Sequence, residues 1–279
     1  LGAADREEPS PFGIAWGYLY GHLGTKVYPY VPAVREHGAG LSRAILFWQQ
    51  IEPQRGTFDW SSLDAYVGEL RSPDEGFITL YAASTWATEI PAVLMPAAPA
   101  KNPEDYYRFV FETVKRYRGR VRYWGNDAEP TNLAFWAGTK EQFVAQLRIF
   151  HRAVKDADPE ALVVLGGCDG LFVPPGLKTP TGEAVPPNPH QEVGLAFFDS
   201  VLREAGDSFD VFDLRLYLDP ETIPPRVEYI RERMRANGYE KPILGGEYGG
   251  PSFYEFPENL PYLDLVMKWS VTPDEHGVA

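Results

Sequence analysis

The chain reads as an α/β protein of the (β/α)8 barrel type, and three observations carry that reading. Apolar strand-like runs alternate with amphipathic helical runs along all 279 residues. The strands recur about every 30–45 residues, the spacing of repeated βα units, and right-handed crossovers turn such units into a parallel sheet. Two of the strands, in VRYWGNDAEPTN (121–132) and KPILGGEYGG (241–250), run straight into a glutamate followed by a turn former. Barrel strands present polar groups in this way at their C-terminal ends.

In order, the strands are PFGIAW (11–16), LSRAILF (41–47), GFITLYA (76–82), VRYWG (121–125), ALVVLGG (161–167), FDVFDLRLY (209–217) and KPILGGE (241–247). Helices fall between them. The first, 61–71, follows Trp60. The second, 104–117, opens after Asn102-Pro103, where proline suits a first helical turn. The third, 140–157, sets Phe143, Leu147, Phe150 and Val154 on one face. Helices at 225–236, again led by proline, and at 260–269 complete the set.

The count stops at seven strands, and after 269 the chain reads SVTPDEHGVA. A barrel short of one strand leaves two sheet edges unpaired. The expectation is therefore a single (β/α)8-type catalytic domain over 1–279, truncated at its C-terminus and lacking the eighth strand.

Between Gly167 and Val193 lies a connection of about 25 residues, well beyond the usual length. It holds Pro174, Pro175, Pro180, Pro186, Pro187 and Pro189, which rule out a helix or central strand. It is a loop on the face where barrel active sites sit, and a plain surface insertion explains it equally well.

There are 26 basic and 39 acidic residues, a net charge of −13. Such a surface repels phosphate backbones, which argues against nucleic acid and anionic membranes as partners. No run approaches the length of a transmembrane helix. Cys168 is the single cysteine, so no internal disulfide forms. The histidines at 22, 37, 151, 190 and 276 are too scattered for a zinc site, and no metal or other cofactor is expected. The chain opens LGAADREEPSP without an initiator methionine, which reads as a trimmed N-terminus; an extracytoplasmic location with a signal peptide removed is one explanation, and the sequence leaves the location open. Composition does not reveal an oligomeric state.

Glu129 and Glu247 each end a strand, and two such tips facing one another supply the paired carboxylates that glycosidic cleavage requires. Solvated or salt-bridged acids at strand ends are the simpler alternative. A retaining pair stands roughly 5–5.5 Å apart.

The surrounding blocks resemble clan A glycoside hydrolases, family 39 (β-xylosidase and α-L-iduronidase relatives) most closely, with families 5 and 42 near. LSRAILFWQQIEPQRGTFDW is similar to the clan's second strand. EPTNLAFWAGTKEQFVAQLRIFHRAVKDADPEALVVLGG is similar to the fourth unit and fifth strand, and KPILGGEYGG to the seventh. The resemblance implies Glu129 as general acid/base and Glu247 as nucleophile. It also implies that Arg43 lies beneath the nucleophile to keep it ionised, and that Tyr217 donates a hydrogen bond to it. Two departures stand out. Ala128 occupies the place of an asparagine that holds the sugar 2-hydroxyl, leaving Asn126, Asp127 or Asn132 to reach in. The sixth strand reads Arg215-Leu216-Tyr217 where the family carries His-x-Tyr. Arg215 would then suit an acidic sugar or serve the structure.

Trp16, Trp48, Trp86, Trp124 and Trp136 fall near strand ends. Core packing explains most such residues, and Trp86 in ASTWATE is the best stacking platform for a sugar. The expected function is a retaining glycoside hydrolase acting on an oligosaccharide or polysaccharide. A non-catalytic carbohydrate-binding barrel and a transglycosylase are the alternatives, while histidine spacing disfavours a metal-dependent hydrolase.

Overall fold

The computed structural model describes residues 10, 12–15, 31–168, 178, 182, 184, 191–216 and 223–248. Within them seven parallel strands form one sheet in chain order. They are β1 (Gly13–Ile14), β2 (Leu41–Phe47), β3 (Glu75–Tyr81), β4 (Tyr123–Asn126), β5 (Leu162–Cys168), β6 (Val211–Leu216) and β7 (Ile243–Tyr248). The helices are α1 (Val31–Glu36), α2 (Trp48–Ile51), α3 (Ser61–Glu69), α4 (Pro103–Arg116), α5 (Lys140–Ala157), α6 (Gln191–Glu204) and α7 (Ile223–Ala236). This is the (β/α)8 architecture with one strand lacking among the described residues. The helix expected at 260–269 lies outside them. So does most of the proline-rich connection, of which an isolated antiparallel bridge between Lys178 and Ala184 is described.

The helices begin where local chemistry dictates. Asn102 caps α4 by accepting from the Glu104 amide at 2.9 Å, and Pro103 fills the first turn. Glu104 and Asp105 sit at its positive end, Lys115 and Arg116 at its negative end. A capping box between Thr139 and Gln142 starts α5, which buries Phe143, Leu147, Phe150 and Val154 as its periodicity predicts. Each such side chain contributes about 1.5–3 kcal/mol on burial. The six-residue α1 and four-residue α2 are too short to show a period, so the sequence pattern did not reveal them.

Alternation along the strands splits the core in two. Leu46, Ile78, Leu80, Trp124, Val163, Leu165, Phe212 and Leu214 belong to the main core with the helices. Phe77, Val164, Val211 and Leu244 form a second cluster, with Leu41, Tyr123 and Leu162 packed against it. That cluster is the apolar floor of the barrel interior. Two residues further along β2, β3 and β6, the same inward face carries Arg43, Thr79 and Asp213, and the Arg43 guanidinium lies 5.0 Å from the Phe77 ring centre. The interior thus turns from apolar to charged toward the C-terminal ends of the strands.

Both ladders of β6 slip near their ends. Leu165 and Cys168 of β5 pair with Phe212 and Leu214, three residues against two. Asp213 and Arg215 pair with Leu244 and Glu247 of β7, again two against three. The extra residue falls at a glycine pair in each case, Gly166-Gly167 and Gly245-Gly246, so two bulges flank β6.

Candidate active site

Glu129 is presented by a strained turn. Asp127 and Glu129 have φ of 45° and 47°, left-handed values uncommon for residues other than glycine. Each costs on the order of 1–3 kcal/mol and persists where neighbours hold it. The Asp127 amide donates to Leu80 O at 3.0 Å and the Glu129 amide to Gly167 O at 3.1 Å. The Asp127 carboxylate accepts from the Ala82 amide at 2.7 Å and from Gln146 Nε2 at 3.5 Å. The end of β4 is therefore stitched to β3, to the bulge of β5 and to α5. Burial pushes the Asp127 carboxyl up to about 7, against the pull of the Ala82 amide and Gln146.

Glu247 follows the β7 bulge, and its Oε1 meets two guanidinium groups. Arg43 Nη1 is 2.6 Å away and Arg215 Nη1 is 2.7 Å away. Arg43 is itself buried, its Nε donating to Thr79 Oγ1 at 3.1 Å. Arg215 is fully buried and also reaches Asp213 Oδ2 at 3.3 Å and Glu129 Oε1 at 3.9 Å. Asp213 accepts from the Gly246 amide at 3.0 Å. Burial raises the Asp213 carboxyl, while Arg215 and Arg43 oppose the rise.

The glycine pairs make room for this cluster. A Cβ on Gly167 would stand 2.2 Å from Arg215 Nε, and one on Gly246 would stand 2.3 Å from Asp213 Oδ1. Neither position tolerates a side chain while the cluster keeps its shape.

Four residues singled out in the sequence are thus brought together: Arg43, Glu129, Arg215 and Glu247. Asn126 is buried beside them. Its Oδ1 accepts from the Gly166 amide at 3.2 Å, and its Nδ2 has no hydrogen-bond partner among the described residues. Asn132 is half-buried, with Oδ1 accepting from the Ala134 amide at 3.0 Å within its own turn. Trp86 is half-buried, its Nε1 donating to Glu52 O at 2.9 Å and its ring edge-on to Trp48 at 5.6 Å. Trp48, Trp124 and Trp136 are core residues. Tyr217 lies outside the described residues.

Asp213 is a cluster member that sequence reasoning missed. The available signal was an acid inside VFDLRL, a strand buried along its whole length, between two strands that each contain a Gly-Gly pair. Glu52, of the Ile-Glu-Pro in the second-strand block, is fully buried away from the cluster. It accepts from Trp48 Nε1 at 2.8 Å and the Gly56 amide at 2.6 Å, and pairs with Arg108 at 2.5 Å.

Among the described residues no group of three or more His, Cys, Asp or Glu is placed to hold a metal, and no helix is long and apolar enough to cross a membrane.

A charged cluster at the C-terminal ends of parallel barrel strands defines a (β/α)8 barrel with the site arrangement of that class. Solved structures of the same fold include glycoside hydrolases. A family 39 glycoside hydrolase from the gut symbiont Bacteroides cellulosilyticus superposes with a TM-score of 0.66 at 18% identity, covering 96% of this chain and 55% of that one. A glucosidase from Croceicoccus marinus gives 0.65 at 19%, covering 95% and 57%. A monomeric β-xylosidase from Caulobacter crescentus gives 0.61 at 16%, covering 89% and 54%. The chain spans just over half the length of these three, and at such identities the likeness is one of fold. No protein-family model matches the sequence, and no curated protein matches it.

Proposed function

We propose that this chain is the single-domain catalytic barrel of a retaining glycoside hydrolase of clan A type, with Glu247 as nucleophile and Glu129 as general acid/base. The observation that carries the reading is the meeting of both glutamates at one buried guanidinium at the C-terminal ends of the strands. The fold shared with a glucosidase and a β-xylosidase supports it.

In the first step a Glu247 oxygen bonds to the anomeric carbon as the glycosidic C–O bond breaks, and Glu129 protonates the departing oxygen. In the second, Glu129 takes a proton from water, whose oxygen displaces Glu247 from the anomeric carbon. Arg43 and Arg215 favour the charged form of Glu247 that the first step needs. Both guanidiniums are matched by protein carboxylates, so the substrate class favoured is a neutral oligosaccharide or polysaccharide rather than an acidic sugar.

The test is a panel of 4-nitrophenyl glycosides, including β-glucoside and β-xyloside, against the wild-type chain and Glu247→Ala. Hydrolysis by the first alone supports the reading, and equal rates for both refute it. Ala128 in place of asparagine favours a second reading, a barrel that binds carbohydrate without cleaving it. Sugar binding with no hydrolysis across the panel would establish that reading. A transglycosylase uses the same pair, and product analysis with added sugar acceptor separates it from a hydrolase.

A further inference from the structure

We propose that Arg215 is a positioning residue shared by both glutamates, holding the one negative charge that the Glu129–Glu247 pair carries as it passes from Glu247 to Glu129 and back during turnover. The inference rests on the reading of Glu247 and Glu129 as nucleophile and acid/base. It concerns a position where the resembling families carry histidine.

The charge arithmetic follows from the two steps above. Before the first, Glu247 is the anion and Glu129 holds a proton. When Glu247 forms its ester bond it loses the charge, and the proton given to the leaving oxygen makes Glu129 the anion. Hydrolysis of the ester reverses both changes. A cation between the two carboxyls faces one negative charge in either state. Arg215 has this place, with Nη1 at 2.7 Å from Glu247 and Nε at 3.9 Å from Glu129.

The fold fixes that guanidinium rather than letting it follow one partner. Arg215 is fully buried, anchored by Asp213 at 3.3 Å, and seated against Gly167 with no room for a Cβ there. Asp213 is anchored in turn by the Gly246 amide of the second bulge. The charged and titratable groups around the Glu247 carboxylate are Arg43 from β2, Asp213 and Arg215 from β6, and Glu129 from the turn after β4, with Tyr81 of β3 acting on Arg215. Arg215 reaches both glutamates, whereas Arg43 reaches Glu247.

The experiment is a 13C titration of the assigned Glu129 and Glu247 carboxyls in the full chain, comparing wild type, Arg215→Met and Arg215→Lys. The double variant Asp213→Asn/Arg215→Met provides a form without a buried unpaired aspartate. In both forms lacking the arginine, each glutamate should titrate about one unit or more higher, and Arg215→Lys should lie nearer wild type. A rise of Glu247 alone, or of neither, overturns the shared role. A 2,4-dinitrophenyl 2-deoxy-2-fluoro-β-glucoside or xyloside label on a residue other than Glu247, with both titrations still moving, overturns the role in turnover through the nucleophile assignment. The two failures are thereby told apart.

Discussion

Arg43 and Arg215 converge on one oxygen of Glu247 from strands that are not neighbours, β2 and β6, at 2.6 and 2.7 Å. Two buried cations on one carboxylate strongly favour its ionised form, which is the form a nucleophile needs. Removing either should make that form harder to reach. Arg43→Met is therefore expected to move the acidic limb of kcat/KM upward by about 1–3 pH units. A pH–rate profile on an aryl glycoside measures this, and an unmoved acidic limb contradicts it.

Glu129 should matter in proportion to the leaving group's need for a proton. Glu129→Ala is expected to slow an alkyl or sugar glycoside by about 10²–10⁴-fold, within the usual range for general acid catalysis of bond departure. A 2,4-dinitrophenyl glycoside, whose leaving group departs as an anion, should form its glycosyl-enzyme with a far smaller penalty. Burst and steady-state rates on the two substrate types check this, and equal slowing of bond departure in both argues against the acid role.

Gly167 is expected to resist any side chain. Gly167→Ala forces its Cβ onto Arg215 and should cost about 1–3 kcal/mol, with a drop of several degrees in Tm. Gly68, exposed in α3, has open space at its Cβ position. Gly68→Ala should leave Tm unchanged or raise it, since alanine suits a helix better by about 0.5–1 kcal/mol. Thermal unfolding of both variants tests whether the bulge, rather than glycine content, is what the cluster requires.

Asp127 predicts a pH dependence of stability. Its folded-state value, about 7, lies above that of an unfolded aspartate, so the folded state binds more protons between the two values. Its contribution is fully present below the unfolded value near 4 and is lost as pH rises through 7. Asp127→Asn keeps an acceptor for the Ala82 amide and removes the titration. The variant should match wild type near pH 4 and exceed it above pH 7. Denaturant unfolding at the two pH values measures the gap, and a constant gap contradicts the expectation.

The repeat of βα units was legible because long strands and helices carry a period: α5 buried the face its spacing predicts, and six of the seven strands are at least four residues long. Arg43 was legible for a different reason. A charge inside an apolar strand has to be satisfied within the barrel, and the resemblance supplied its partner. Asp213 carried the same signal in VFDLRL and was passed over, because its anchor is a backbone amide 33 residues away at a bulge. The bulges themselves were written as LGG in two strands, yet sequence alternation alone does not show that each shifts the register by one residue. The left-handed turn at Asp127 and Glu129 was hidden for a related reason. Neither residue is glycine, and tertiary hydrogen bonds to Leu80, Ala82 and Gly167 hold the strain.

The most direct test of the account is covalent trapping. The full chain is incubated with 2,4-dinitrophenyl 2-deoxy-2-fluoro-β-glucoside or the corresponding xyloside, and the adduct is located by peptide mapping. Slow loss of the glycosyl-enzyme should leave one fluoroglycosyl group per chain, on Glu247 in the peptide containing ILGGEY, and prior Glu247→Ala substitution should abolish labelling. A stoichiometric adduct on another residue, with Glu247 unmodified, would contradict the assignment of Glu247 as nucleophile.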